Sequence, residues 1–381
     1  MPTRPSTSAA TVRGGEALGQ RALNRALLAR QLLLQRAHLP AADAIEHLVG
    51  MQAQVPHTPY IGLWTRLTGF CHEQLVQRII ERRAVRLALM RSTIHLVTAR
   101  DCLALRPVVQ PALDRDLYRN STHGPRIAGM AMPALLAAGR ALLDERPLTT
   151  AELGKRLHAR WPDRAAASLA YAMRNLAPLV QTPPRGLWGL SGQTRYATAE
   201  AWLGQPLVAD AAPDAMILRY LAAFGPATVA DVQTWSGLTG LRAVVERLRP
   251  RLRIFRDERG RELFDLPDAP RPAPATPAPP RFLPAFDNAL LAHADRTRII
   301  ADDHREIIAA NRLTRGAVLV DGFVCGTWWT ERTRGTATLV IEPFAPLSKE
   351  ARAAVAGEGE HLVRFIDDGA TTFDVRFAEG P

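Results

Sequence analysis

Lysine is nearly missing from this chain of 381 residues: Lys155 and Lys349 are the two it has, within a combined lysine and arginine count of 48. Covalent chemistry through an amine is thereby confined to those two side chains and the N-terminus. Cysteine is almost as scarce. Cys71, Cys102 and Cys325 are odd in number, far apart and without CxxC spacing, which supports neither a disulfide framework nor a zinc or iron–sulfur site. Three buried or half-buried thiols in a reducing compartment are expected, with no metal and no cofactor. No run approaches the roughly twenty apolar residues that span a bilayer, and residues 1–18 lack the apolar segment of a secretory signal. The chain therefore reads as cytoplasmic and nucleoid-associated, without a membrane partner, its residues 1–18 a disordered basic tail.

What is abundant is apolar and positive. Hydrophobic residues make up 47% of the chain, enough for two or three ordinary domains. The formal net charge of +11 favours a polyanionic partner, since each phosphate neutralised releases condensed counterions. That the cations are arginines is weaker evidence, because a GC-rich genome gives the same bias.

Hydrophobic spacing gives an α+β reading built from tandem winged-helix units. Apolar positions three and four apart predict helices over residues 18–36, 41–49, 59–67 and 72–82, followed by strands over 85–90 and 94–98. Glycine after a periodic stretch is the usual left-handed stop, so the chain should leave the helix at Gly50, and Pro56 should hold Val55 extended. A second unit follows, with helices over 148–159 and 164–176, Thr149 and Thr150 as cap candidates, Glu152 in the first turn and a wing over 179–198. A third has helices over 214–224, 228–236 and 241–249 and strands over 252–256 and 261–266. The units are assigned to residues 19–105, 106–209 and 210–266. Residues 267–281, rich in proline and alanine, form a stiff extended linker. Residues 282–381 read as a β-rich, β-barrel-like domain, with strands over 317–320, 323–328, 336–341 and 372–377 and a helix over 348–357.

The most informative stretch is His47-Leu48-Val49-Gly50-Met51-Gln52-Ala53-Gln54-Val55-Pro56. If the backbone is extended after Gly50, Gln52 and Gln54 share one face and Met51, Ala53 and Val55 the other. Two neutral amides then converge, able to orient a water or read a base edge. Taken alone, the pair fits two polar loop residues without a role better than it fits a site.

The segment HLVGMQAQVPHTPYIGLWTRL, followed by LALMRSTIHLVTARD, resembles the AlkZ/YcaQ family of winged-helix DNA glycosylases, marked by a Gln-apolar-Gln or Gln-apolar-Asp triplet and then an Arg-x-Thr-apolar-His segment. LPAFDNALLAHADRTR and VDGFVCGTWW are similar to that family's last domain. The similarity runs from about Leu18 to Phe377, with the proline-rich linker unmatched. It implies three tandem winged helices and a C-terminal β-barrel around a concave DNA-binding face. It places Gln52 and Gln54 as the catalytic pair, nearer the AlkZ branch, which resembles a self-resistance enzyme unhooking interstrand crosslinks made by azinomycin-type agents.

The function expected from the resemblance is excision of N7-alkylated purines, bulky adducts and interstrand crosslinks among them, from duplex DNA by a monomer. Lysine scarcity makes the expected enzyme monofunctional, leaving an abasic site without cutting the strand. Arg91, Thr93 and His95 match the family's strand motif, with His95 either touching DNA or satisfied inside the ribbon. His293, Asp295 and Arg296 face the DNA from the last domain or form an ordinary surface network. Of Trp328 and Trp329, one should be core by alternation. The alternative to a glycosylase is a winged-helix transcription regulator that releases no base.

Overall fold

The structure is a computed structural model that describes residues 16–311 and 314–378. Of the tail expected over residues 1–18, residues 1–15 lie outside that range. Ala17–Leu18 is already a strand, paired in parallel with Arg253–Asp257.

The first helix is Gln20–Arg30, shorter than its apolar spacing predicts, because the chain turns at Leu32 with a φ of 58°. Ala41–His47, Thr58–Trp64 and His72–Ile80 follow, then the strands Ala84–Ala88 and Ile94–Thr98. The sequence suggests no elements between residues 99 and 145. The chain forms helices there at Ala99–Val108, Gln110–Arg115 and Met132–Glu145, with a single π-helical turn at Asp116–Asn120. Pro107 sits inside the first of these and Pro111 starts the second, which breaks the periodicity that would have announced them.

Helix caps are local and match their sequence signals. Thr149 closes a capping box with Glu152 on Thr150–Arg160, and Thr228 does the same with Asp231 on Val229–Ser236, each box satisfying two otherwise unpaired backbone N–H donors.

The two expected ribbons of the first half do not stand apart. Ala84–Ala88 pairs with Leu179–Thr182, so that Met51–Gln52, Ile94–Thr98, Ala84–Ala88, Leu179–Thr182, Arg195–Thr198 and Leu148–Thr149 form one six-stranded sheet in that order. Joining two ribbon edges covers backbone groups that would otherwise be exposed. Ala17–Leu18, Arg253–Asp257 and Glu262–Asp265 make a separate three-stranded sheet.

The C-terminal strands are not a closed barrel. They form an open five-stranded sheet in the order Arg281–Leu283, Gly316–Val320, Phe323–Thr333, Thr336–Pro343, Thr372–Phe377. The reason is the crossover: the helix Lys349–Ile366 runs on through Gly357 and Gly359 and delivers the last strand parallel to Thr336–Pro343, at the sheet edge rather than back beside the first strand. Gly359 packs against Leu339, where a Cβ would lie 2.9 Å from its Cδ2, so this glycine permits close packing instead of ending the helix.

The proline-rich segment is laid along the first helix. Arg21, Arg25 and Arg30 donate to the carbonyls of Pro274, Thr276 and Pro270. Of the thiols, Cys102 is buried and Cys325 half-buried, but Cys71 is exposed, because it sits at the start of His72–Ile80 instead of on that helix's buried face. Among the described residues no helix is long and apolar enough to cross a membrane.

Candidate active site

The Gln-Ala-Gln segment leaves its helix as glycine chemistry dictates. Val49 and Gly50 both have left-handed φ, 55° and 86°, and Met51–Gln52 then joins the sheet as an edge strand, Met51 opposite Leu96 and Gln52 opposite His95. Side chains fix the backbone on every side. Asn288 Nδ2 donates to the Gly50 carbonyl at 3.2 Å, Ala53 N–H donates to the Ile94 carbonyl at 2.7 Å, and Thr58 Oγ1 donates to the Val55 carbonyl at 2.9 Å.

The two amides are engaged differently from simple convergence on a point. Gln52 is 7% exposed, and its Oε1 accepts from Arg91 Nη2 at 2.7 Å. Gln54 is exposed, and its Oε1 accepts from the Ile94 N–H at 3.2 Å. Both carbonyl oxygens thus have donors, while neither NH2 group has a protein acceptor among the described residues.

Two arginines meet the triplet, neither paired with a carboxylate among the described residues. Arg91, half-buried, bridges Gln52 Oε1 and the Trp235 carbonyl, the latter at 2.5 Å. Burial and the Arg296 charge lower its pKa to about 10, which leaves it cationic at neutral pH. Arg86 is 3% exposed and donates through Nη2 to the Ala53 carbonyl at 2.7 Å, with its Nε and Nη1 unpartnered. Burial, then the Arg185 charge, lowers its pKa to about 10. Two other buried arginines contrast with these: Arg30 pairs with Asp265 and Arg66 with Asp287. Sequence reasoning passed over Arg86; the signal available was one arginine between Val85 and Leu87 in an otherwise apolar strand.

Beside Gln52 lies a niche of about 10 Å³ lined by Gln31, Thr58, Arg66, Pro284, Asp287 and Asn288 among others, room for about one water. Thr58 and Pro284 also line an open cleft of about 320 Å³ that holds His57, Trp188, Arg315 and Trp329. Trp328 is core, its Nε1 bonded to the Leu283 carbonyl at 2.9 Å, while Trp329 lies under the Arg315 guanidinium at 4.0 Å.

A family model described as "DNA glycosylase AlkZ-like" matches residues 45–365. The chain belongs to the AlkZ-like DNA glycosylase family. It is 26% identical over 363 residues to an interstrand DNA cross-link repair glycosylase of Streptomyces sahachiroi, across 88% of this chain and 93% of the relative. Its fold is that of the Streptomyces sahachiroi DNA glycosylase AlkZ, with a TM-score of 0.75 at 22% identity over 95% of this chain and 100% of the other.

In this AlkZ-like chain the remaining sequence-predicted residues scatter. Arg91 reaches Gln52, and Thr93 caps the same turn through the Met90 carbonyl at 3.0 Å. His95 is fully buried inside the ribbon, its Nδ1 against the Thr93 carbonyl at 3.0 Å. His293 is likewise 1% exposed, with Nε2 on the Phe224 carbonyl at 3.0 Å. Asp295 is tied to Arg261 at 2.7 Å and Arg259 at 3.3 Å. Although burial alone would raise its pKa, hydrogen bonds from Thr297 and Arg261 hold it well below the carboxylate range. Among the described residues His293 and Asp295 share no hydrogen bond, and Asp295 belongs to a surface network with Arg259 and Arg261. Arg296 lines a cavity of about 110 Å³ with Arg305 and Arg315, the last shared with the open cleft.

Proposed function

We propose that the chain is a monofunctional DNA glycosylase that hydrolyses the N-glycosidic bond of N7-alkylated purines in duplex DNA, bulky adducts and interstrand crosslinks included. The observation that carries this reading is the Gln52-Ala53-Gln54 triplet, held by the sheet at Gln52 and by the Ile94 backbone at Ala53 and Gln54, near an open cleft in an AlkZ-like chain.

Alkylation at N7 leaves the purine cationic. As the C1′–N9 bond breaks, its electron pair stays with the base and cancels that charge, so no general acid is needed. Water oxygen bonds to the oxocarbenium-like C1′, the water's proton passes to solvent, and the products are an abasic sugar and a neutral alkylated base. What the protein supplies is position and oriented dipoles, which neutral amides provide.

A crosslinked base stays tied to the opposite strand and cannot swing into a deep pocket. The niche at Gln52 is far smaller than a base and the adjoining space is open, which favours attack in a groove. The role in the relative's name, interstrand cross-link repair, supports the same substrate class. We read residues 19–105, 106–209 and 210–266 as winged-helix units whose net positive charge tracks the DNA backbone, acting as a monomer, with Thr93 and Arg296 as the DNA contacts retained from the sequence and Arg91 engaged with Gln52 instead.

The test is base release from a duplex carrying one N7-methylguanine, with alkali added to reveal abasic sites. Alkali-dependent cleavage by the unmodified protein, lost in Gln52→Ala and Gln54→Ala, is the expected result. Tight binding to one operator sequence with no base released from this or bulkier adducts would instead identify a transcription regulator.

A further inference from the structure

Each triplet carbonyl already accepts one protein donor, whereas neither Nε2 has a protein acceptor among the described residues. A guanidinium has donors alone and a backbone N–H is a donor, so Arg91 and Ile94 dictate which end of each glutamine amide they meet: Oε1 takes the protein donor, which leaves the Nε2 donors for another partner. Arg91 is itself locked. Its φ is 56° and that of Ser92 is 58°, a tight turn that two other segments grip: Arg174 Nη2 donates to the Ser92 carbonyl at 3.0 Å, and Ser92 Oγ lies 3.1 Å from Asp116 Oδ2 and 3.0 Å from Asn175 Oδ1. From the other side its Nη1 is bonded to Trp235.

We propose that Arg91 is a positioning residue that turns the Gln52 amide so that its N–H donors, not its carbonyl, meet the substrate, and that the triplet works as a pair of hydrogen-bond donors. The inference rests on the glycosylase reading above. A charged donor on Oε1 polarises the amide and strengthens the N–H donors opposite. The local charge fits the same role. The carboxylate in the Gln52 niche, Asp287, is held by Arg66, and Arg86 adds a second unpaired cation behind Ala53. Such a site favours the departing base, which takes the electron pair of the broken bond and keeps O6 and N3 as acceptors when N7 is alkylated, over direct stabilisation of the sugar cation by an anion.

Gln52→Glu separates the alternatives. It keeps the shape and gives Arg91 a carboxylate, so the fold is retained, but it removes both N–H donors. Single-turnover base release at saturating protein should fall by about 100-fold, the usual loss on removing an oriented donor, with the melting temperature unchanged or raised. Release within threefold of the unmodified protein overturns the proposal. Arg91→Lys keeps the charge but not the fork; its saturated rate should fall about tenfold while DNA affinity changes less, whereas an ordinary phosphate contact would lose affinity and keep the rate. A protein that releases no base from any alkylated duplex overturns the glycosylase reading instead. The contact is then still read by selective 15N-glutamine labelling: the Gln52 side-chain signal, assigned by its loss in Gln52→Glu, should shift in Arg91→Lys, and an unmoved signal overturns the Arg91 assignment.

Discussion

Gly237 packs so closely on Arg91 that a Cβ at position 237 would stand 3.0 Å from both the Arg91 Cα and its amide nitrogen. Gly237 ends the helix Val229–Ser236 in the left-handed region, with φ 79°. The contact ties the third helical segment to the turn that presents Arg91 to Gln52. Gly237→Ala meets two obstacles, a left-handed alanine costing about 1–2 kcal/mol and a clash with the Arg91 backbone. We expect a modest fall in melting temperature and a larger fall in the saturated rate of base release. A variant with lowered stability and an unchanged rate would show that the turn's position is irrelevant to the chemistry.

The buried pair of Arg66 and Asp287 joins the Gln52 niche to the C-terminal segment through two hydrogen bonds of 2.8 Å. Removing one partner leaves a buried charge uncompensated, at a cost of about 3–5 kcal/mol. Asp287→Ala should therefore lower unfolding free energy by that order in urea titrations. Arg66→Met combined with Asp287→Leu should recover much of the loss, and failure to recover any would mean that the pair is not what stabilises this contact.

These two contacts also mark where sequence reading stops. The entry into the Gln52 and Gln54 stretch was legible because its signal is local, a left-handed glycine at 50; the expected alternation stops at Gln52, because the chain bends at Gln54. The capping box of Thr149 and Glu152 spans three residues and was equally readable. Arg66 and Asp287 are 221 residues apart, and Arg30 and Asp265 are 235 apart. No spacing rule announces that an arginine at or just past a helix end will be buried by a carboxylate supplied from so far away. Open sheet and closed barrel share the same alternation along each strand, so only the parallel placement of Thr372–Phe377 decides between them. His95 and His293 carried motif signals, yet burial depends on what packs above them, which their neighbours in sequence do not state.

Burial of His95, reinforced by the Arg91 charge, lowers its pKa from 6.5 to about 3. Between those values the unfolded chain binds a proton that the folded chain refuses. Stability is therefore full above pH 6.5 and declines as pH falls toward 3, by about 1.4 kcal/mol per pH unit for this one group. His293 shifts in the same direction for the same leading reason. His95→Asn retains a donor toward the Thr93 carbonyl but does not titrate, so its stability difference between pH 6.5 and pH 5 should be smaller than that of the unmodified protein by about 2 kcal/mol. Equal differences in the two proteins would mean that His95 is protonated in the folded state.

Strand cleavage through an amine requires that amine to reach C1′ of the abasic sugar. Lys155 is exposed on Thr150–Arg160, and Lys349 is exposed at the first turn of Lys349–Ile366; neither lines the niche beside Gln52 or the adjoining cleft. Incubation with alkylated duplex and borohydride should therefore trap no protein–DNA adduct, and strands should break only when alkali is added. A trapped adduct that persists in the Lys155→Arg and Lys349→Arg double variant would point to the N-terminus. One that disappears in that variant would mean that a lysine enters the site on DNA binding, and the enzyme would then be bifunctional.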